Sequence, residues 1–93
     1  MLHVVNEVRV KPPCSLWVQF ADGVEGEVDL SELIGHGVFR SLTDQGTFAR
    51  VGIDEFGAVC WPDGPDLAPD AMYSALRTDG IWRPRLVAAG QRA

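Results

Sequence analysis

Two stretches of the sequence share one construction: an apolar residue at every second position, a three-residue connection ending in glycine, and a second alternating run. In the first, Leu16, Val18 and Phe20 precede Ala21-Asp22-Gly23, and Val24, Gly26 and Val28 follow it, opposite in phase to the acidic Glu25, Glu27 and Asp29. Residues directly opposite across a hairpin share a face, so pairing Phe20 with Val24, Val18 with Gly26 and Leu16 with Val28 keeps the apolar set on one side. A two-residue Asp22-Gly23 turn would set Phe20 against Glu25. A three-residue loop with Gly23 in the left-handed conformation preserves the register. The second stretch repeats the logic: Ala49, Val51 and Ile53 alternate on one strand, Val59 and Trp61 on the next, and Glu55-Phe56-Gly57 turns between them. Ile53 then faces Val59, and Val51 faces Trp61.

The flanking segments complete a plan. Val4, Asn6, Val8 and Val10 alternate against Glu7 and Arg9, predicting a half-buried strand that ends at Lys11-Pro12-Pro13, where two residues cannot donate to a ladder. Asp29-Leu30-Ser31-Glu32 predicts a helix start with reciprocal capping, stopped or bent by Gly35-His36-Gly37. Val38, Phe39 and Leu42 predict a second short helical turn, and the polar run from Thr43 to Thr47 a loop. Ala68, Ala71, Met72, Ala75 and Leu76 form a helical stripe that Gly80 can end, with Asp66 as N-cap and Pro69 in the first turn. The expected fold class is α+β: a small antiparallel meander of about five strands, with two glycine-turn hairpins and short helices packed on one face. Residues 1–80 form the single domain, and residues 81–93 a basic C-terminal tail.

Charge and size narrow the function. A chain of 93 residues supports one core, burying roughly 60% of the surface the unfolded chain exposes. Residues 1–80 hold all 13 acids against five bases, a balance of −8, while Arg83, Arg85 and Arg92 make the remainder basic. The body therefore repels nucleic acid, and its field suits a basic protein partner. Cys14 and Cys60 form no CxxC pair, which excludes zinc ribbons and thioredoxin-like sites and fits free thiols in a reducing cytoplasm. The N-terminus lacks a basic leader before an apolar segment, and no apolar run approaches the ~20 residues of a membrane span, so a cytoplasmic location is expected.

The segment Cys60-Trp61-Pro62-Asp63-Gly64-Pro65-Asp66-Leu67-Ala68-Pro69-Asp70 is the most site-like in the chain. Its aspartates lack the EF-hand spacing, and turn and capping chemistry accounts for them without a cation. Neither His3 nor His36 has a local nucleophile or a second ligand at HxxxH spacing. No GxSxG, phosphate-cradling loop or dinucleotide fingerprint occurs. No catalytic residue, metal or cofactor is assigned. Trp17 lies in the polar phase of its strand and therefore faces outward, where it marks a partner site or is shielded by Ile81 and Trp82 from the tail. Trp61 shares the inner phase, for which core packing is the expectation. The candidate interaction residues are Trp17, Trp61, Asp63, Asp66, Asp70, Trp82, Arg83 and Arg85.

Phe20-Ala21-Asp22-Gly23, Gly26-Glu27-Val28-Asp29-Leu30, Phe39-Arg40-Ser41-Leu42, Phe48, Val59-Cys60-Trp61-Pro62-Asp63-Gly64, Asp66-Leu67-Ala68-Pro69-Asp70 and Tyr73 together resemble the small bacterial family called domain of unknown function 2442. The similarity spans residues 3 to 76. It implies a small α+β domain with a strand meander and helices beside it. Some relatives look like N-terminal domains joined to a helix-turn-helix, and others resemble the antitoxin member of a toxin–antitoxin pair. The seventeen residues after Leu76 are too few for a two-helix DNA reader. The family carries no agreed catalytic residues to transfer. The resulting expectation is a non-enzymatic interaction module, an antitoxin-like partner of a small co-encoded protein. Its outward tryptophan and free strand edge also suit a homodimer. The alternative is an enzyme, metal-dependent around Asp63, Asp66 and Asp70 or cysteine-based at Cys60.

Overall fold

The computed structural model describes residues 3–34, 37–62, 64 and 66–84. Three strands come first: β1 (Val5–Lys11), β2 (Ser15–Phe20) and β3 (Glu25–Asp29). β2 and β3 pair in the register that the alternation demands, Leu16 opposite Val28 and Val18 opposite Gly26. The Phe20 amide donates to the Val24 carbonyl at 2.7 Å, closing a three-residue loop. Gly23 and Gly57, the third residues of the two hairpin loops, both have positive φ, at 98° and 83°. A side chain at either position would meet the left-handed penalty.

β1 departs from strict alternation. A bulge between Val5 and Glu7 shifts its register against β2. The extra residue reverses the phase upstream, so Val5 is buried at 3% exposure while Val4 is 41% exposed. Val4 and Asn6 therefore leave the inner face expected of them, and only Val8 and Val10 stay on it.

After β3 the Asp29 carboxylate accepts from the Ser31 amide, and the Leu33 and Ile34 amides both donate to the Leu30 carbonyl. The result is one hydrogen-bonded turn rather than a helix. A 3₁₀ helix (Gly37–Thr43) and α1 (Gln45–Phe48) follow. α1 occupies most of the expected Thr43–Thr47 loop, because Asp44 caps it through the Thr47 amide at 2.8 Å and the Thr47 hydroxyl at 2.9 Å.

β4 (Gly52–Ile53) and β5 (Val59–Cys60) make a separate two-stranded ladder with Ile53 opposite Val59. Ala49 caps α1 instead of extending β4. Ile53 is 37% exposed at the rim of so short a ladder, while Val59 is fully buried.

α2 (Pro69–Asp79) is followed after Gly80 by β6 (Ile81–Trp82). Its N-cap is Ala68, with no side-chain cap. Asp66 instead sits in an antiparallel bridge with Cys60. The proline explains the shift: Pro69 at the first helical position holds the residue before it in extended geometry, which makes Ala68 the cap and leaves Asp66 two residues outside the helix.

The sheet order is β1-β2-β3-β6, with β6 parallel to β3. Ile81 and Trp82 are thus strand residues where a tail without regular structure was expected. The core fills the inner side of this sheet, where Leu16, Val18, Phe20, Val28, Leu30, Leu42, Phe48, Val59 and Met72 are the largest fully buried side chains. α2 presses onto β3 at Gly26. A Cβ there would lie 2.3 Å from the Gly80 carbonyl oxygen and 2.8 Å from Leu76 Cδ2. This close approach explains why a glycine stands in the apolar phase of β3.

Candidate functional site

The inner face is consumed by the core, so any binding surface must use the outer face or the rims. Register defines the outer face directly. Arg9 lies opposite Trp17, Trp17 opposite Glu27, and Glu27 opposite Ile81, so one row crosses all four strands. The row on one side holds Lys11, Ser15 and Asp29, and the row on the other side Glu7, Gln19 and Glu25. Trp17 is half-buried at the centre. The Arg9 guanidinium stands over its ring, 5.3 Å from the centroid, an arrangement worth about 0.5–1 kcal/mol at an exposed site. Arg9 also pairs with Glu7, and Lys11 reaches Glu27 at 3.8 Å. A cleft of about 290 Å³ opens beside the ring, lined by Arg9, Val10, Lys11 and Trp17. Basic groups collect on β1 and acidic groups on β3, with the tryptophan between them.

Trp82 does not shield this ring. It lies opposite Val28 on the inner face and packs against the core. Ile81 shares the outer face but is separated from Trp17 by β3. Arg83 is exposed and reaches Asp29 at 3.6 Å. The Asp29 carboxyl is held below its ordinary range, first by the Ser31 amide and hydroxyl and then by Arg83.

The other candidate residues scatter. Trp61 is 3% exposed, its indole donating to the Phe48 carbonyl at 2.9 Å and stacking on the Phe48 ring. It is a core residue, as its inner phase implies, and offers no surface. Asp66 and Asp70 are exposed and line a cleft of about 370 Å³ with His3, Asp54, Phe56, Ala58 and Pro69. Asp54 is committed to its turn, accepting from the Phe56 and Ala58 amides. Asp63 and Arg85 lie outside the described residues. Among the described residues no group of three or more His, Cys, Asp or Glu side chains is arranged to hold a metal ion. The Cys60 thiol is pushed up by burial and by the Asp54 and Asp66 carboxylates. That direction suppresses the thiolate a nucleophile needs.

A further cluster was not legible in the sequence. His3 stacks on Tyr73 at 3.7 Å, and the Tyr73 hydroxyl donates to Asp22 at the tip of the β2–β3 hairpin. This hydrogen bond lowers the Asp22 carboxyl and raises the Tyr73 hydroxyl. The three residues tie hairpin, helix and N-terminal segment together.

The family model described as protein of unknown function (DUF2442) matches residues 5–78. The chain belongs to this family. The match begins at the first residue of β1 and ends one residue before the end of α2, so the DUF2442 span holds β1 to β5 and nearly all of α2, while β6 lies beyond it. No curated protein and no solved structure matches the chain. No helix among the described residues of this DUF2442 domain is long and apolar enough to cross a membrane.

Proposed function

We propose that this DUF2442 domain is a protein-interaction module that binds through the outer face of its four-stranded sheet. The observation that carries the reading is Trp17: a half-buried tryptophan at the centre of a solvent-facing sheet surface, with an arginine over its ring and a cleft beside it. Tryptophan and arginine are the residues most enriched where interfaces concentrate their binding energy. The net charge favours a basic partner at long range. At contact range the demand differs, because the face presents Arg9 and Lys11 on one side of Trp17 and Glu27 and Asp29 on the other. A partner must match both signs. An antitoxin-like pairing with a small co-encoded protein is one setting in which such a module works, and it requires no chemistry from the chain.

The test is purification of the tagged full chain from its native host beside its Trp17→Ala variant, with both shown to be folded. Retained proteins that disappear with Trp17→Ala support the reading. The same retained set with both chains, and no Trp17-dependent retention of the chain's own untagged copy, places binding elsewhere and overturns it.

A further inference from the structure

The charge layout of the outer face is complementary to itself. Two in-plane two-fold axes could bring a second copy onto this face with Trp17 over Trp17. An axis perpendicular to the strands would stack β1 on β1, setting Arg9 over Arg9 and Glu27 over Glu27. An axis parallel to β2 does the opposite: it lays β1 of one copy over β3 of the other. Arg9 then meets Glu27, and Lys11 meets Asp29, each twice by symmetry. Only the third row, Glu7 over Glu25, opposes like charges.

We infer that the partner of the Trp17 face is a second copy of this chain, docked sheet to sheet about an axis parallel to β2. This rests on the reading of that face as the binding surface. The contact is isologous, so one patch serves both copies. Aligned sheets pack at about 10 Å with a relative rotation near 30° set by their twist. The cleft lined by Arg9, Val10, Lys11 and Trp17 then receives the acidic β3 side chains of the second copy. Three overlapping strands at about 4.8 Å spacing and roughly five residues of about 3.4 Å give a face of roughly 250 Å². That is well under the ~800 Å² per partner of a standard stable interface, so the dimer is a weak one, formed at high micromolar concentration.

The symmetry supplies the test. Sedimentation equilibrium of the full chain from about 10 μM to 1 mM should show self-association. R9E and E27R should each weaken it by about tenfold or more, since each replaces two attractions with two repulsions. Mixed in equal amounts, the two variants should associate again, because each carries the charge its mate needs. Circular dichroism checks that both fold, and Trp17→Ala gives an independent variant that should be monomeric. A wild-type chain that stays monomeric throughout, or a mixture no more associated than either variant alone, overturns the inference. If the wild-type chain is monomeric while Trp17→Ala still loses host proteins, the second copy is the wrong partner and the interaction reading stands. If neither changes, both fall.

Discussion

Gly26→Ala should be among the most damaging single-methyl changes in the chain, and its cost can be worked from the geometry. The added Cβ would lie 2.3 Å from the Gly80 carbonyl oxygen, about 1 Å inside the ~3.3 Å at which carbon and carbonyl oxygen meet comfortably. Gly80 is the left-handed C-cap of α2, and its carbonyl accepts the Glu27 amide at 3.1 Å, so the oxygen cannot rotate away freely. Relief requires α2 to lift by about 1 Å, which stretches that bond beyond hydrogen-bonding range. Overpacking contributes roughly 1–3 kcal/mol and the lost hydrogen bond about 1 kcal/mol. The lower backbone entropy of alanine returns about 0.5–1 kcal/mol. The net is a destabilisation of about 1–3.5 kcal/mol, or a fall of roughly 5–25 °C in Tm for a domain of this size. Urea denaturation followed by far-ultraviolet circular dichroism measures it. Gly52→Ala is the control: its Cβ meets nothing within 4 Å, and the change should be neutral or stabilising by up to about 1 kcal/mol. Equal stability of Gly26→Ala and the wild-type chain, or equal losses from both glycines, would refute the close-approach argument.

Other expectations follow from single contacts. Trp61→Phe leaves the buried Phe48 carbonyl without its indole donor, and should cost about 1–3 kcal/mol in the same urea titration. The Asp29 carboxyl is lowered in the fold, so its contribution is present above its unfolded value, near 3.9, and is lost as pH falls through the lower folded value. Asp29→Asn should flatten the acid limb of a Tm-against-pH profile. Tyr73 is raised by its bond to Asp22, so its contribution holds below the unfolded value, near 10, and is lost as pH rises through the folded one. Tyr73→Phe should remove that alkaline loss, read in the same profile above about pH 10. Cys60, with its thiol raised, should react with iodoacetamide at pH 7 more slowly than glutathione, and Asp54→Asn should narrow the gap.

The parts of the fold legible in the sequence are those fixed by period and glycine together. Leu16, Val18 and Phe20 against Val24, Gly26 and Val28 allow one register, and Gly23 allows one loop. The Val4–Val10 alternation misled because a bulge adds a residue that leaves the apolar count unchanged and only displaces its phase. α1 is four residues long, too short to show a helical period, although Asp44 and Thr47 carry the capping spacing that marks it. Asp66 looked like a cap because its residue type suits one, but the rigid ring of Pro69 fixes the boundary closer. β6 has two residues and therefore no alternation, and its place comes from the helix that delivers it. Of the candidate site, the outward phase of Trp17 was legible from Leu16 and Val18 alone. The ordering of Arg9, Trp17 and Glu27 into one row needed the register of three strands at once.

The parallel pairing of β6 with β3 also bears on how the chain reaches its fold. β1, β2 and β3 are joined by short loops and can zip together as they emerge. Fifty-four positions separate Glu27 from its partner Ile81, and closing so long a loop costs about 2 kcal/mol more than closing a hairpin. Pairing at the outer edge of β3 thus comes late, after α2 has formed and carried Gly80 onto Gly26. Until then β3 shows an unpaired edge, a template for another nascent chain. The two residues of β6 add little to the finished sheet, but they end that period of risk.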